Sequence, residues 1–243
     1  MAALRCRIIP LLLVALLLAA AAGCGSQAGE DDAAWRKEVD GSLHSLENAR
    51  SFLYRIHLET WIGVSGQSVY GDERGEGSYR EGDFSVDITR TSPEGEESLA
   101  FSSQDGEYYL REGEAWSAIT PSDTPSPLYD PEVVAKLLSS YGSVSLQGEE
   151  ERSGTDCRRY LLRLDSGGAR AALTEIAWSY FSSLSFELNC TLWVSDASMP
   201  PIAFQIEVAG SDPQESLQRY RTLASLDLSD FDSPDVQPAL TKE

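Results

Sequence analysis

From Phe52 to Val64 the chain alternates between apolar and polar positions. Phe52, Tyr54, Ile56, Leu58, Thr60, Ile62 and Val64 fall on one side, and Leu53, Arg55, His57, Glu59 and Trp61 on the other. Period two over this length predicts a long, half-buried β-strand. Shorter runs with the same period follow, each bounded by Gly, Pro or acidic turns. They are Phe84 to Ile88, Leu99 to Phe101, Tyr108 to Leu110 with Trp116 across a turn, Val144 to Leu146, and Tyr160 to Leu164. Phe186 to Val194, Ile202 to Val208 and Tyr220 to Leu226 complete the series. The stretch from Gly66 to Gly82 is glycine-rich and alternates weakly, so it reads as a frayed hairpin.

Three segments keep helical spacing instead. Trp35 to Arg50 places Val39, Leu43, Leu46 and Ala49 on one face, and Pro131 to Tyr141 does so with Val133, Val134, Leu137 and Leu138. Asp130 stands where an N-cap belongs and Pro131 at the first helical position. Gly168 to Leu184 carries Leu173, Ile176, Ala177, Tyr180 and Phe181 at the same period. The proline-rich run Thr120 to Pro131 reads as loop, and Asp227 to Glu243 as an extended acidic tail.

Nine or ten antiparallel strands with apolar residues on essentially one face, and only three helices, predict a mainly β (α+β) fold built on one curved sheet. So few helices cannot fill the hollow of a wide, strongly curved sheet, so an apolar cavity is expected. Its predicted lining is Ile56, Leu58, Phe84, Val86, Ile88, Phe101, Leu188, Leu192, Phe204 and Ile206. Val134, Leu137, Leu138, Ile176 and Phe181 are the expected lid. The alternative is that the same residues form a solid core.

The N-terminus says where such a body lives. Met1 to Arg7 is a short basic head, Ile8 to Ala22 is apolar apart from Pro10, and Ala21-Ala22-Gly23-Cys24 follows. This is the build of a secretory signal. With a cysteine at the cut it resembles the bacterial lipoprotein signal, with Ala21 where Leu is favoured, and that resemblance implies a lipid-modified Cys24. An ordinary signal cut near Ala22 is the alternative. Residues 1–23 are then signal, 24–34 a small, acidic tether, 35–238 one domain and 239–243 a tail. Export leaves Cys157 and Cys190 as an even pair, for which a disulfide is the economical expectation. Cys157 has the opposite parity from Tyr160, Leu162 and Leu164, so the bond requires a bulge before Tyr160 or a Cys157 outside the strand.

Charge narrows the function. The chain has 19 Lys+Arg and 39 Asp+Glu in 243 residues, a formal charge of −20. Both basic residues of the signal leave with it, so the body is more acidic still. Such a surface repels phosphate backbones, which argues against nucleic-acid binding. No nucleophile elbow or glycine-rich phosphate loop is present. Neither cysteine nor either histidine, His44 or His57, sits in metal-ligand spacing. No catalytic residue, metal or cofactor is therefore expected.

The ordered parts resemble a known superfamily. A candidate lipidated cysteine, a tether and a helix come first, then "SFLYRIHLETWIGVSG", "EYYLREGEAWSAI", the helix "PEVVAKLL" and "GTDCRRYLLRLD". "CTLWVSDASMPPIAFQIEV", with its Trp-bearing strand and Pro200-Pro201 before the returning strand, and "DLSDFDSPDVQP" close the chain. Together they resemble the periplasmic lipoprotein carriers of the LolA/LolB type and the mycobacterial LppX/LprG lipoproteins. That resemblance implies a half-open, incomplete antiparallel barrel with helices covering its concave face. It further implies a non-enzymatic, membrane-anchored extracytoplasmic protein that binds or carries a lipid, a lipidated molecule or another apolar ligand. A non-carrier sensor or protein-binding module on the same fold, like the RseB-type stress sensors, is the second expectation.

Overall fold

In the computed structural model, residues 32–64, 67–93, 95–120, 123–175, 185–211 and 219–238 are described. A helix, α1, covers residues 32–47. Six strands follow: β1 (Ser51–Val64), β2 (Gln67–Arg80), β3 (Asp83–Ser92), β4 (Gly95–Gln104), β5 (Glu107–Glu112) and β6 (Ala115–Ile119). A short 3-10 turn (Pro127–Tyr129) leads into α2 (Pro131–Ser139). Then come β7 (Tyr141–Arg152), β8 (Thr155–Leu164), α3 (Ser166–Glu175), β9 (Ser185–Val194), β10 (Ala203–Ser211) and β11 (Arg219–Ser229).

All eleven strands form one antiparallel sheet in the order β6-β5-β4-β3-β2-β1-β11-β10-β9-β8-β7. β6 and β7 are free edges, so the barrel is incomplete as expected. β1 and β11 sit at the centre, where chain ends meet and the apolar alternation is strongest. Phe52, Tyr54, Ile56 and Leu58 of β1 are buried on the inner face, together with Phe84, Val86, Ile88, Phe101, Leu162, Leu192, Phe204, Ile206 and Leu226. Val39, Leu43 and Leu46 of α1 and Val133, Val134, Leu137 and Leu138 of α2 join the same core. Asp130 caps α2, its Oδ1 accepting from Glu132 N at 2.9 Å and Val133 N at 3.4 Å. Among the described residues no helix is long and apolar enough to cross a membrane.

Several expectations need correction. The frayed hairpin is β2, paired along its whole length with β1 and over most of it with β3. Its alternation is weak because the inward positions opposite Ile56 and Tyr54 are Gly75 and Gly77. A Cβ on Gly77 would lie 2.4 Å from the Tyr54 ring, and one on Gly75 2.9 Å from Val86. β1 side chains therefore lie across β2, and glycine is what makes room. The expected tail begins later than Asp227: β11 runs to Ser229. Beyond it the chain packs back on the sheet, with Val236 buried, Asp232 N bonded to Ser51 O at 2.8 Å, and Arg80 Nη1 to Val236 O at 3.1 Å. Ile176 and Phe181, and the C-terminal half of the helix expected at Gly168 to Leu184, lie outside the described residues, as does the N-terminal signal.

The disulfide expectation fails on geometry. Cys157 and Cys190 are both free and buried. Cys190 faces the inner core, whereas Cys157 packs with Trp193 and Ala203 in a separate cluster. The register places Cys190 opposite Leu162, so Cys157 lies five residues along β8, about 16 Å away at roughly 3.3 Å per residue. A disulfide needs Cα atoms within about 7 Å. The parity mismatch was the correct signal: β8 has no bulge before Tyr160, and the irregularities fall in β7.

Denatured under non-reducing conditions, the protein should take up one alkylating group at each of Cys157 and Cys190. Peptide mass spectrometry reads this, and a Cys157–Cys190 cross-linked peptide would contradict the register.

Candidate functional site: the uncovered end of the inner face

The inner face is not equally covered along its length. Among the described residues, α1 and α2 pack over the end where β1 begins, and the cover thins toward the end where β1 meets β2. There three successive cross-strand rungs change character. Leu58 stands between Glu73 and Ala224, Thr60 between Gly71 and Thr222, and Ile62 between Val69 and Tyr220. The middle rung is made of small side chains, and the outer rung is apolar and partly exposed. Pro125 and Ser126 approach from the loop, and together these residues border a cavity of about 340 Å³. A Cβ on Gly71 would meet nothing within 4 Å, so this position opens directly onto free space.

A polar belt separates this cavity from the packed core. Tyr129, fully buried, donates its hydroxyl to Glu73, and Glu73 pairs with Arg90 Nε at 2.7 Å. Tyr54 donates to the Tyr129 carbonyl at 3.2 Å, and Tyr108 donates to Asp130 Oδ2 at 2.9 Å. Thr60 and Thr222 hydroxyls lie 3.3 Å apart on the cavity side. Burial first, then the Glu73 charge, push the Tyr129 phenol well above its ordinary range, so it stays a neutral donor. Burial likewise raises Asp130, and bonds from Tyr108 and the α2 amides only partly offset it.

Most of the residues expected to line a cavity sit elsewhere. Ile56, Phe84, Val86, Ile88, Phe101, Leu188, Leu192, Phe204 and Ile206 are in the packed core, and only Leu58 borders the cavity. Val134, Leu137 and Leu138 cover the core rather than the opening. Sequence reasoning passed over Thr60, Val69, Gly71, Glu73, Arg90, Tyr129, Tyr220 and Thr222. Arg90 carried a signal, since it continues the inward parity of Phe84, Val86 and Ile88 as a charge on an apolar face. Tyr129 carried none, because it stands in a loop.

A larger groove, about 920 Å³, lies on the opposite face of the sheet. Arg55, His57, Arg74, Glu76, Asp87, Arg111 and Asp227 line it together with Ile56, Ile88 and Leu99, so its surface is dominated by charged side chains. The site therefore has an apolar rim, small hydroxyl-bearing walls and a half-buried polar floor. Among the described residues it offers binding contacts and no nucleophile–base pair.

No family model matches the chain, and no curated protein sequence matches it. Solved structures do. The crystal structure of LprF from Mycobacterium bovis is similar with a TM-score of 0.50 at 12% identity, over 86% of this chain and 97% of that one. That of the Mycobacterium tuberculosis lipoprotein LppX gives 0.49 at 16% identity, over 85% of this chain and all of the other. The LprF likeness shows that the two chains share a fold, which agrees with the half-open sheet and helical cover.

The Asp130 environment sets a pH test of the belt. Its folded-state pKa lies above the ordinary carboxyl value of about 3.9. Its protonation therefore adds stability below that value, and the contribution is lost as pH rises through the folded pKa. Asp130→Asn keeps the helix cap and carries no charge at any of these pH values. In urea melts its stability relative to wild type should rise from pH 4 to pH 7. A relative fall over that interval would show that the ionised form is the favoured one.

Proposed function

We propose that this chain is an extracytoplasmic lipoprotein, anchored through Cys24, that binds an apolar ligand of the acyl-chain class at the uncovered end of its inner face. One observation supports the reading above the others: the Gly71–Thr60–Thr222 rung, flanked by Leu58, Ile62, Val69 and Tyr220, leaves about 340 Å³ open beside apolar side chains. This volume is at the low end for ligand sites, which run from about 300 to 1,000 Å³. It suits one chain segment more readily than a whole diacyl lipid.

The energetics need no catalysis. Each methylene withdrawn from water gains about 0.8 kcal/mol, so an eight-carbon segment is worth roughly 6 kcal/mol before ordering costs. The hydroxyls of Thr60 and Thr222 and the Glu73–Arg90 pair at the floor give a polar end group somewhere to bond. The N-terminal pattern supports the anchor: a basic head, an apolar run and small residues before Cys24. A short tether then holds the body near the membrane from which such a ligand comes.

Two experiments test this. Labelled palmitate should enter the wild-type chain and be lost in Cys24→Ser; equal labelling of both removes the anchor. A fluorescent fatty acid should bind the wild type and bind Gly71→Leu at least tenfold more weakly. That substitution grows into open space, so its melting temperature should stay near wild type. If the wild type takes up no such probe and native mass spectrometry finds no co-purifying lipid, ligand carriage is wrong and a protein-binding role on this fold takes its place.

A further inference from the structure

The outer face of the central β1–β2 hairpin carries a side-chain cluster that ligand binding on the inner face does not use. Strand alternation puts His57 and Glu59 of β1 on the same side, and the register sets Asp72 of β2 directly opposite Glu59. Two carboxylates facing each other across a ladder repel, and cross-strand like charges are normally avoided. Here they converge instead. His57 Nε2 lies 3.0 Å from Asp72 Oδ2, and Tyr70 bridges the pair, donating at 3.0 Å to Glu59 Oε1 and 3.1 Å to Asp72 Oδ2. Arg74 Nε takes the other oxygen, Asp72 Oδ1, at 3.2 Å. One potential ligand atom from each of His57, Glu59 and Asp72 lies within 4.8 Å of the other two.

We propose that His57 Nε2, Glu59 and Asp72 Oδ2 form a site for one zinc-class divalent ion on the outer face of the sheet. One imidazole and two carboxylates are ligands such ions accept, whereas calcium and magnesium prefer oxygen-only shells. Tetrahedral bonds of about 2.0–2.1 Å put ligand atoms roughly 3.3 Å apart, close to the His57–Asp72 separation. The Glu59 carboxylate has to turn toward His57, and the Tyr70 hydroxyl gives up its bond to Asp72 Oδ2 to the ion. The ion replaces whatever proton His57 shares with Asp72. That proton leaves to solvent, or the ring keeps its single proton on Nδ1.

The surroundings hold the ligands in place. Arg74 fixes Asp72 from its far oxygen, in the way an outer partner orients a ligating carboxylate. Tyr70 packs on Trp61 with ring centroids 5.5 Å apart, and the Arg221 guanidinium lies 5.2 Å over the Trp61 ring. The fourth position faces solvent beside the charged groove, which His57 and Arg74 also line. A body this acidic attracts cations over its whole surface, but only here among the described residues do a histidine and two carboxylates converge.

The test is a titration of the full, chelator-treated chain in mild detergent. One equivalent of Co²⁺ should give a saturable visible absorption band, and Zn²⁺ should displace it while Ca²⁺ at the same concentration does not. Asp72→Asn and His57→Ala should each weaken binding at least tenfold, with Cys157→Ser unchanged. His57→Gln, which keeps a hydrogen bond to Asp72 without an imidazole, decides the matter if either variant melts early. Absence of a saturable band, its persistence in His57→Gln, or equal displacement by Ca²⁺ overturns the site. None of these outcomes bears on fatty-acid binding at Gly71, so the two readings stand or fall separately.

Discussion

A single sheet with one apolar face must have that face covered, and among the described residues the helices are shorter than the sheet they cover. β1 spans fourteen residues, about 46 Å at roughly 3.3 Å per residue. α2 has nine residues, about 13 Å at 1.5 Å per residue. α1 is longer, yet its apolar face follows the end where β1 begins. The described helices therefore cover the sheet only in part. The remainder must be polar, filled by another molecule, or open, and the cavity between Thr60, Gly71 and Thr222 is where that choice falls.

The belt of Tyr129, Glu73, Arg90, Tyr108 and Asp130 marks this boundary. A half-buried ion pair such as Glu73–Arg90 adds little stability, because each charge gives up part of its hydration to form it. Its bonds to Tyr129 and the Tyr129–Tyr54 contact instead fix the loop before α2 at one height on the sheet. That loop brings Pro125 and Ser126 over the opening. A wholly apolar boundary would let the loop slide inward and close the space. A polar one, each bond of which is lost on moving, holds it at a set depth.

Much of this was legible in the chain. The alternation of β1, the alternating runs of β9 and β10, and the Asp130–Pro131 start of α2 follow from period and capping alone. β2 was obscured because its inward positions are glycines, vacated for Tyr54 and Ile56, so the feature that lets it pair also erased its pattern. The Cys157–Cys190 pairing came from counting, while parity, a geometric signal, pointed against it and was right. The opening beside Gly71 was not legible for a different reason. Inward parity identifies which residues face the hollow but not where along the strands the helices stop, and that is a tertiary quantity. Glu73 and Tyr129 belong to the same class, since their partners are distant in sequence.

The separation of core from opening has a consequence for how such a body can change. Below the belt, volume is constrained: Gly77 cannot accept a Cβ without displacing Tyr54, and large-for-small changes in packed sites typically cost about 1–3 kcal/mol. Above it, Gly71 borders free space and Val69 is mostly exposed, so substitutions alter the shape of the opening with little effect on the fold. The outer face is freer where it carries charged side chains, which meet mainly water and one another, and not where Cys157, Trp193 and Ala203 or the chain beyond β11 pack on it. Side chains on either surface can therefore change residue by residue while the alternation that builds the sheet stays intact. What the fold demands is the order and parity of apolar positions, and what the site does is decided by the few positions that parity leaves unfilled.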